Sequence, residues 1–157
     1  MSYILTITGK EVIIDKEDLE LTKNYTWAIS SNGYADAYIK GSGRKNQKHI
    51  NMHRLIMGDP KDKVIDHINR NKLDNRKSNL RIGTFSQNMG NSIGYSKETN
   101  YKGINRMPNG HWRARINIGR KTIHLGVGIT ERDAAKLYNE AAIKHYGEFA
   151  LTNKIGG

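Results

Sequence analysis

Asp66 and His67 stand together at the end of the apolar run Val64-Ile65. Asn75-Arg76, Asn79-Leu80-Arg81-Ile82 and Thr84-Phe85-Ser86-Gln87-Asn88 follow, placing asparagines in a polar loop and on an expected helix. An acid, a base and a neutral oxygen ligand are the parts that hold one divalent metal beside a water-activating imidazole. Phosphodiester hydrolysis uses that set. A histidine near its unperturbed pKa takes a proton from water at neutral pH. A hard cation on oxygen ligands neutralises charge on the phosphate and the leaving oxygen. Asp66 offers an anionic oxygen, and Asn88 an amide oxygen that leaves the ion residual positive charge.

The composition supplies a polyanion to act on. Lys and Arg number 26 against 15 Asp and Glu, a net charge of +11 before the six histidines are counted. Clustered Lys and Arg favour nucleic acid, because neutralising phosphates releases condensed counterions. The charge is uneven: 8 basic against 7 acidic residues over 1–60, 8 against 4 over 61–98, and 10 against 4 over 99–157. Nucleic acid is therefore expected to lie against residues after about 60. A length of 157 residues suits one ordinary domain or two small ones, and an apolar content of 36% favours several modest cores. The absence of cysteine excludes disulfides and Cys-ligated zinc. The N-terminal sequence lacks a signal-peptide pattern, and no apolar run reaches membrane-spanning length, so a cytoplasmic protein without a membrane partner is expected.

The elements that must position these residues follow from local pattern. Residues 3–14 read as a hairpin about Thr8-Gly9-Lys10, residues 15–21 as a short acidic helical turn, and residues 27–30 and 34–39 as a strand pair about Asn32-Gly33. Residues 49–57 read as a short helix stopped by Gly58 and Asp59-Pro60. Thr84 and Gln87 have capping-box spacing and start a helix through Met89. The polar, aperiodic residues 93–99 read as a linker. Strands are predicted at 103–106, 112–118 and 121–125. A helix capped by Thr130 buries Ala134, Leu137, Tyr138, Ala141 and Ala142.

Two resemblances build on these residues. Met52-His53-Arg54-Leu55, Val64-Ile65-Asp66-His67-Ile68-Asn69, Asn75-Arg76, Asn79-Leu80 and residues 84–88 resemble the HNH nuclease family, in its homing endonuclease branch. Asn79 lies twelve residues after His67, and Asn88 nine beyond it. The resemblance implies a ββα-metal fold with His67 as general base, Asp66 and Asn88 as metal ligands, and Asn79 bracing the loop that orients His67. One Mg²⁺ or Mn²⁺ per active site is implied. Asn91, one helical turn on, is the alternative to Asn88. His53 is assigned a structural or phosphate-adjacent role, and Arg54 and Arg76 are candidate phosphate contacts.

Arg106, Arg113, Arg115, Arg120 and Lys121 fall on or beside the three later strands, with Trp112 among them. Arg113 and Arg115, two apart, project from one sheet face. Arginine suits phosphate clamping and guanine readout. Tyr101-Lys102-Gly103-Ile104, residues 110–116, Leu125-Gly126, residues 134–142 and residues 147–153 resemble the ethylene-response-factor (Apetala-type) DNA-binding domain. That resemblance implies major-groove reading by the sheet, with Arg106, Trp112, Arg113, Arg115 and Lys121 as candidates.

The expected architecture is α+β: a β-rich module at 1–48, a nuclease core at 49–92, the linker, and a DNA-binding domain at 100–157. The expected function is a sequence-directed, metal-dependent DNA endonuclease of the homing type, phage- or intron-borne. It acts on double-stranded DNA as a monomer, with a dimer as the alternative, and leaves 5′-phosphate and 3′-hydroxyl ends. Rival readings are a DNA-binding regulator with a vestigial centre and a nonspecific defence or packaging nuclease. The 1–48 module either buttresses the nuclease or adds groove contacts through Lys40, Arg44, Lys45 and Lys48.

Overall fold

Val12 and Ile14 are buried while Glu11 between the turn and Val12 is exposed, the alternation of a strand with one covered face. This strand, β2 (Glu11–Ile14), pairs antiparallel with β1 (Ser2–Leu5). The computed structural model describes residues 2–38, 49–92 and 98–156. Ile39, the basic residues Lys40, Arg44, Lys45 and Lys48, and residues 93–97 of the expected linker lie outside them. The chain divides into two compact units, Met1–Gly83 and Thr84–Gly157.

In the first unit a short helix, α1 (Leu19–Thr22), follows β2. Then β3 (Trp27–Ile29), β4 (Ala35–Tyr38) and β5 (His49–Asn51) form an antiparallel sheet in the order β3-β4-β5. The segment expected to be one helix at 49–57 is thus divided. His49–Asn51 pair with Tyr38–Asp36, and only Met52–Ile56 coil into α2. Asn51, with extended dihedrals, marks the switch. The pairing to β4 satisfies backbone groups that a longer helix would otherwise hold. A last antiparallel pair, β6 (Val64–His67) and β7 (Leu80–Gly83), encloses a long polar loop.

One core serves all of these elements. It joins Val12, Ile14, Trp27, Ala35 and Ala37 to Met52, Ile56, Ile65 and Leu80. The expected boundary at 48/49 therefore does not divide two cores. Neither set of apolar residues is large enough to close a core by itself.

The second unit starts with α3 (Phe85–Asn91), whose capping box has Thr84 Oγ1 accepting from Gln87 N at 3.2 Å and Thr84 N donating to Gln87 Oε1 at 2.8 Å. Three antiparallel strands follow in the order β10-β9-β8: β8 (Ile104–Arg106), β9 (Trp112–Ile118) and β10 (Lys121–Gly128). Helix α4 (Glu131–Tyr146) packs across the sheet through Ala134, Tyr138, Ala142 and Tyr146, against Ile104, Ala114 and Ile116. Small residues allow this close approach. A Cβ on Gly103 (φ +77°) would stand 2.0 Å from the Tyr138 ring. A Cβ on Gly90 would stand 2.6 Å from Tyr146 Cγ, so α3 lies close against α4. Asn153 ties the chain end down: its N–H donates to Asn139 Oδ1 at 2.6 Å, and its Nδ2 to Lys102 O at 3.0 Å. The content is mixed helix and antiparallel strand, consistent with the α+β class.

Candidate active site and nucleic-acid interface

The chemistry-bearing side chains of the first unit gather at the end of β6. Asp66 and His67 are its last two residues, 7% and 4% exposed. Antiparallel register sets Asp66 opposite Arg81 on β7, and the guanidinium donates to Asp66 Oδ2 from Nε at 2.8 Å and Nη2 at 2.6 Å. Two nearly buried ions in this geometry form a charge-assisted pair.

The loop between the strands is held by its asparagines. Asn79 Oδ1 accepts from Asn69 N at 3.0 Å, while its Nδ2 donates to Asp74 O at 2.8 Å and Asn69 Oδ1 at 3.0 Å. Asn69 Nδ2 donates to Asp74 Oδ2 at 2.9 Å, and Arg76 clamps both oxygens of Asp74 at 2.7 and 2.6 Å. The side chain that meets His67 is Asn75, with Oδ1 3.2 Å from His67 Nε2. Asn79 thus braces the loop, and its neighbour Asn75 makes the imidazole contact.

The loop is also bound to β2. Ile13 N donates to Leu73 O and Asn75 N to Ile13 O, each at 2.8 Å. Lys77 reaches Asp15, Glu17 and Asp18. Residues 2–38 therefore buttress the loop directly.

Around the imidazole lie two further rings. His53 meets His67 edge-on with centroids 5.3 Å apart, and Tyr34 lies 5.0 Å from His53 and 5.9 Å from His67. Lys72 Nζ sits 4.5 Å over the Tyr34 ring and donates to Asn32 O at 2.7 Å. Burial pushes the His53 pKa down to about 4, with the nearby His67 and Arg54 adding to it. Burial also lowers that of His67, against the opposing pull of the Asn75 hydrogen bond and of Asp66. Burial and then Asp66 raise that of the Tyr34 hydroxyl. His67 is therefore neutral at neutral pH, the form that accepts a proton.

Buried neutral histidines make the fold acid-sensitive. The unfolded chain takes up protons near pH 6.5, whereas folded His53 resists until about pH 4. Stability from His53 is full above the unfolded pKa and is lost as pH falls towards the folded one, by up to about 3 kcal/mol. Urea midpoints are expected to drop between about pH 7 and pH 4.5, and to drop less in His53→Gln. Parallel losses in both proteins would remove His53 as the cause.

Asn88, the other expected metal ligand, is half-buried on α3 and belongs to the second unit; Asn91 is buried on the same helix. Among the described residues no cluster of three or more His, Asp or Glu side chains could hold a metal. A carboxylate such as that of Asp66 suits a hard divalent cation that keeps most of its waters. Asp66 already binds one cation, the Arg81 guanidinium. A carboxylate has lone pairs for both a guanidinium and a metal ion.

Two expected phosphate contacts are committed elsewhere. Arg54 bonds Asp59 Oδ1 at 2.5 Å, Pro60 O at 2.7 Å and Lys63 O at 3.3 Å, fastening the turn before β6. Arg76 is spent on Asp74. Sequence pattern assigns no role to Arg81, Tyr34, Lys72 or Asn75, all of which the structure brings to the site. Arg81 is legible from β6–β7 pairing, but Tyr34 carries no local signal.

In the second unit Arg113 and Arg115 are exposed on the face of β9 opposite α4. Register adds His124 opposite Arg115 and Thr122 opposite Asn117, with Thr122 Oγ1 donating to Asn117 Oδ1 at 2.8 Å. Trp112 is corrected to the other face, where it shares alternation with Ala114 and Ile116 and packs against the core. Arg106 and Lys121 are exposed at strand ends, paired with Trp112 and Ile118 of that same core-side alternation.

The family model for HNH endonucleases matches residues 47–90. An uncharacterised HNH endonuclease of Acanthamoeba polyphaga mimivirus is 33% identical over 149 residues, 94% of this chain and 76% of that protein. Shorter matches join the chain to plant proteins. An ethylene-responsive transcription factor of Arabidopsis thaliana is 43% identical over 43% of this chain and 16% of its own length. An APETALA2-like protein of Oryza sativa subsp. indica is 39% identical over 40% and 15%. With the nuclease segment matched and the mimivirus relative aligned over nearly the whole sequence, the chain belongs to the HNH endonuclease family.

Proposed function

We propose that this protein is a divalent-metal-dependent DNA endonuclease of the homing type, cutting sites chosen by its C-terminal sheet. The observation that carries the reading is the consecutive, buried Asp66-His67 pair at the end of β6, inside the matched nuclease segment. His67, neutral through burial, takes a proton from the attacking water. The water oxygen bonds to phosphorus, and the bond to the 3′ oxygen breaks. That oxygen takes a proton from solvent water, while the His67 imidazolium returns its own to solvent. The products are a 5′-phosphate and a 3′-hydroxyl. Asp66 and Asn88 would hold one Mg²⁺ or Mn²⁺. When bound, the ion would neutralise charge on the phosphate and the leaving oxygen. Asn79 keeps the loop that carries Asn75 in place.

The exposed face of β8–β10 is the proposed reader, and the plant transcription-factor likeness supports it. Arg113 and Arg115 face outward together, the disposition that suits a groove or its phosphates. With one catalytic pair per chain, a monomer on DNA nicks or cuts strands in turn. Supercoiled plasmid incubated with protein and Mg²⁺ is expected to convert to the nicked form and to stop on chelation. Failure with every divalent cation tried would remove the nuclease reading. Arg113→Ala with Arg115→Ala is expected to weaken DNA binding and lower the slope of log affinity against log salt by about 2. An unchanged slope would move the interface elsewhere.

A further inference from the structure

We propose that Lys72 is a phosphate-binding residue of the nuclease centre, gripping a backbone phosphate of the cut strand within one nucleotide of the scissile bond. This rests on the nuclease reading of the site.

Neighbouring cations of the loop and its strands are committed to carboxylates: Arg76 to Asp74, Lys77 to Glu17 and Asp18, and Arg81 to Asp66. Lys72 forms no ion pair among the described residues. Its Nζ donates to Asn32 O at 2.7 Å and lies 4.5 Å over the Tyr34 ring. A carbonyl dipole and a ring face attract an ammonium but leave its charge uncancelled. An ammonium has three N–H bonds, and Asn32 O uses one. The side chain is exposed, so a DNA strand can reach it.

Two elements hold this ammonium in place. Asparagines knit the loop on either side of it, Asn71 N donating to Asn69 Oδ1 at 2.8 Å and Leu73 N to Asn71 Oδ1 at 3.1 Å. From the other side comes the turn between β3 and β4, where a Cβ on Gly33 would stand 3.7 Å from Lys72 Cδ. Steps of 4.5 Å from Nζ to the Tyr34 ring and 5.9 Å from that ring to the His67 ring keep the charge within about 10 Å of the base. The charge is felt there, opposing protonation of His67. Ordering a lysine costs side-chain entropy, and one carbonyl contact at the surface offsets little of it. The same ordering favours phosphate binding, because it precedes the arrival of DNA. The β3–β4 turn acquires a function from this: it aims a cation into the centre.

Lys72→Gln and Lys72→Arg separate phosphate binding from a bracing role. Glutamine keeps an N–H for Asn32 O but no charge, and arginine keeps both. Affinity of the whole protein for a mixed-sequence duplex is measured without metal over a range of salt. The slope of log affinity against log salt is expected to fall by about 0.9 in Lys72→Gln and to hold in Lys72→Arg. On a duplex carrying the mapped plasmid nick site, a single neutral methylphosphonate is then moved along the cut strand. Wild type is expected to lose metal-free affinity about 10-fold at one position within a nucleotide of the cut, and Lys72→Gln to lose little more there. An unchanged slope in Lys72→Gln would overturn the proposal, and so would losses from variant and methylphosphonate that add at every position. A wild-type scan with no loss beside the cut would overturn it without any variant having to fold. Absence of nicking by wild type would count against the nuclease reading, while the salt slope still decides whether Lys72 grips phosphate.

Discussion

His67→Ala is expected to lower the single-turnover rate of DNA cleavage by about 10²–10⁴-fold, with DNA affinity almost unchanged. The affinity should hold because His67 is 4% exposed and the candidate gripping residues Arg113 and Arg115 lie in the other unit. The rate should fall because no described neighbour is an equal substitute. His53, 5.3 Å away between ring centroids, has its pKa pushed down to about 4 and is a much weaker base. His53→Ala is accordingly expected to cost less rate than His67→Ala. Quenched time courses under protein excess separate the two effects. Equal rates for wild type and His67→Ala would remove the imidazole from the chemistry.

Asp74→Ala is expected to be the most damaging change to stability in the catalytic loop, by about 3 kcal/mol. The carboxylate is 2% exposed and accepts three hydrogen bonds, two from Arg76 and one from Asn69. The Arg76 hydrogen bonds hold its pKa below the usual carboxylate range, so it is ionised under all ordinary conditions. Alanine removes these charge-assisted bonds and leaves the Asn69 amide without its acceptor. Arg76 is partly exposed and recovers some hydration, which places the cost at the lower end for a buried pair. Asp74→Asn, which keeps one acceptor, is expected to fall between. Urea unfolding at neutral pH measures both, and a loss under about 1 kcal/mol for alanine would mean that the loop is held by its backbone and Asn79 alone.

The site is legible in the sequence where function follows from adjacency. Asp66 and His67 share one strand, and Thr84 and Gln87 form the predicted capping box. Long-range pairing hides the rest. Asn75 meets His67 because Ile13, more than sixty residues earlier, holds the loop, and nothing local announces that bridge. The shared core is hidden for the same reason, since Val12 and Met52 meet in it only after the sheets form. Trp112 is different, because the signal is present. Arg113 and Arg115 face outward by alternation, so Trp112 must face inward. Likewise the strand predicted to end at Leu125 runs to Gly128, because a bulge after His124 turns Leu125 towards the core.

The most direct measurement is plasmid cleavage by wild type in oxygen-18-labelled water with Mg²⁺, followed by mass analysis of the new ends. One labelled oxygen on each 5′-phosphate and an unlabelled 3′-hydroxyl are the expected result for water activated beside Asp66 and His67. A 3′-phosphate end, an unlabelled 5′-phosphate, or no cleavage at all would contradict it.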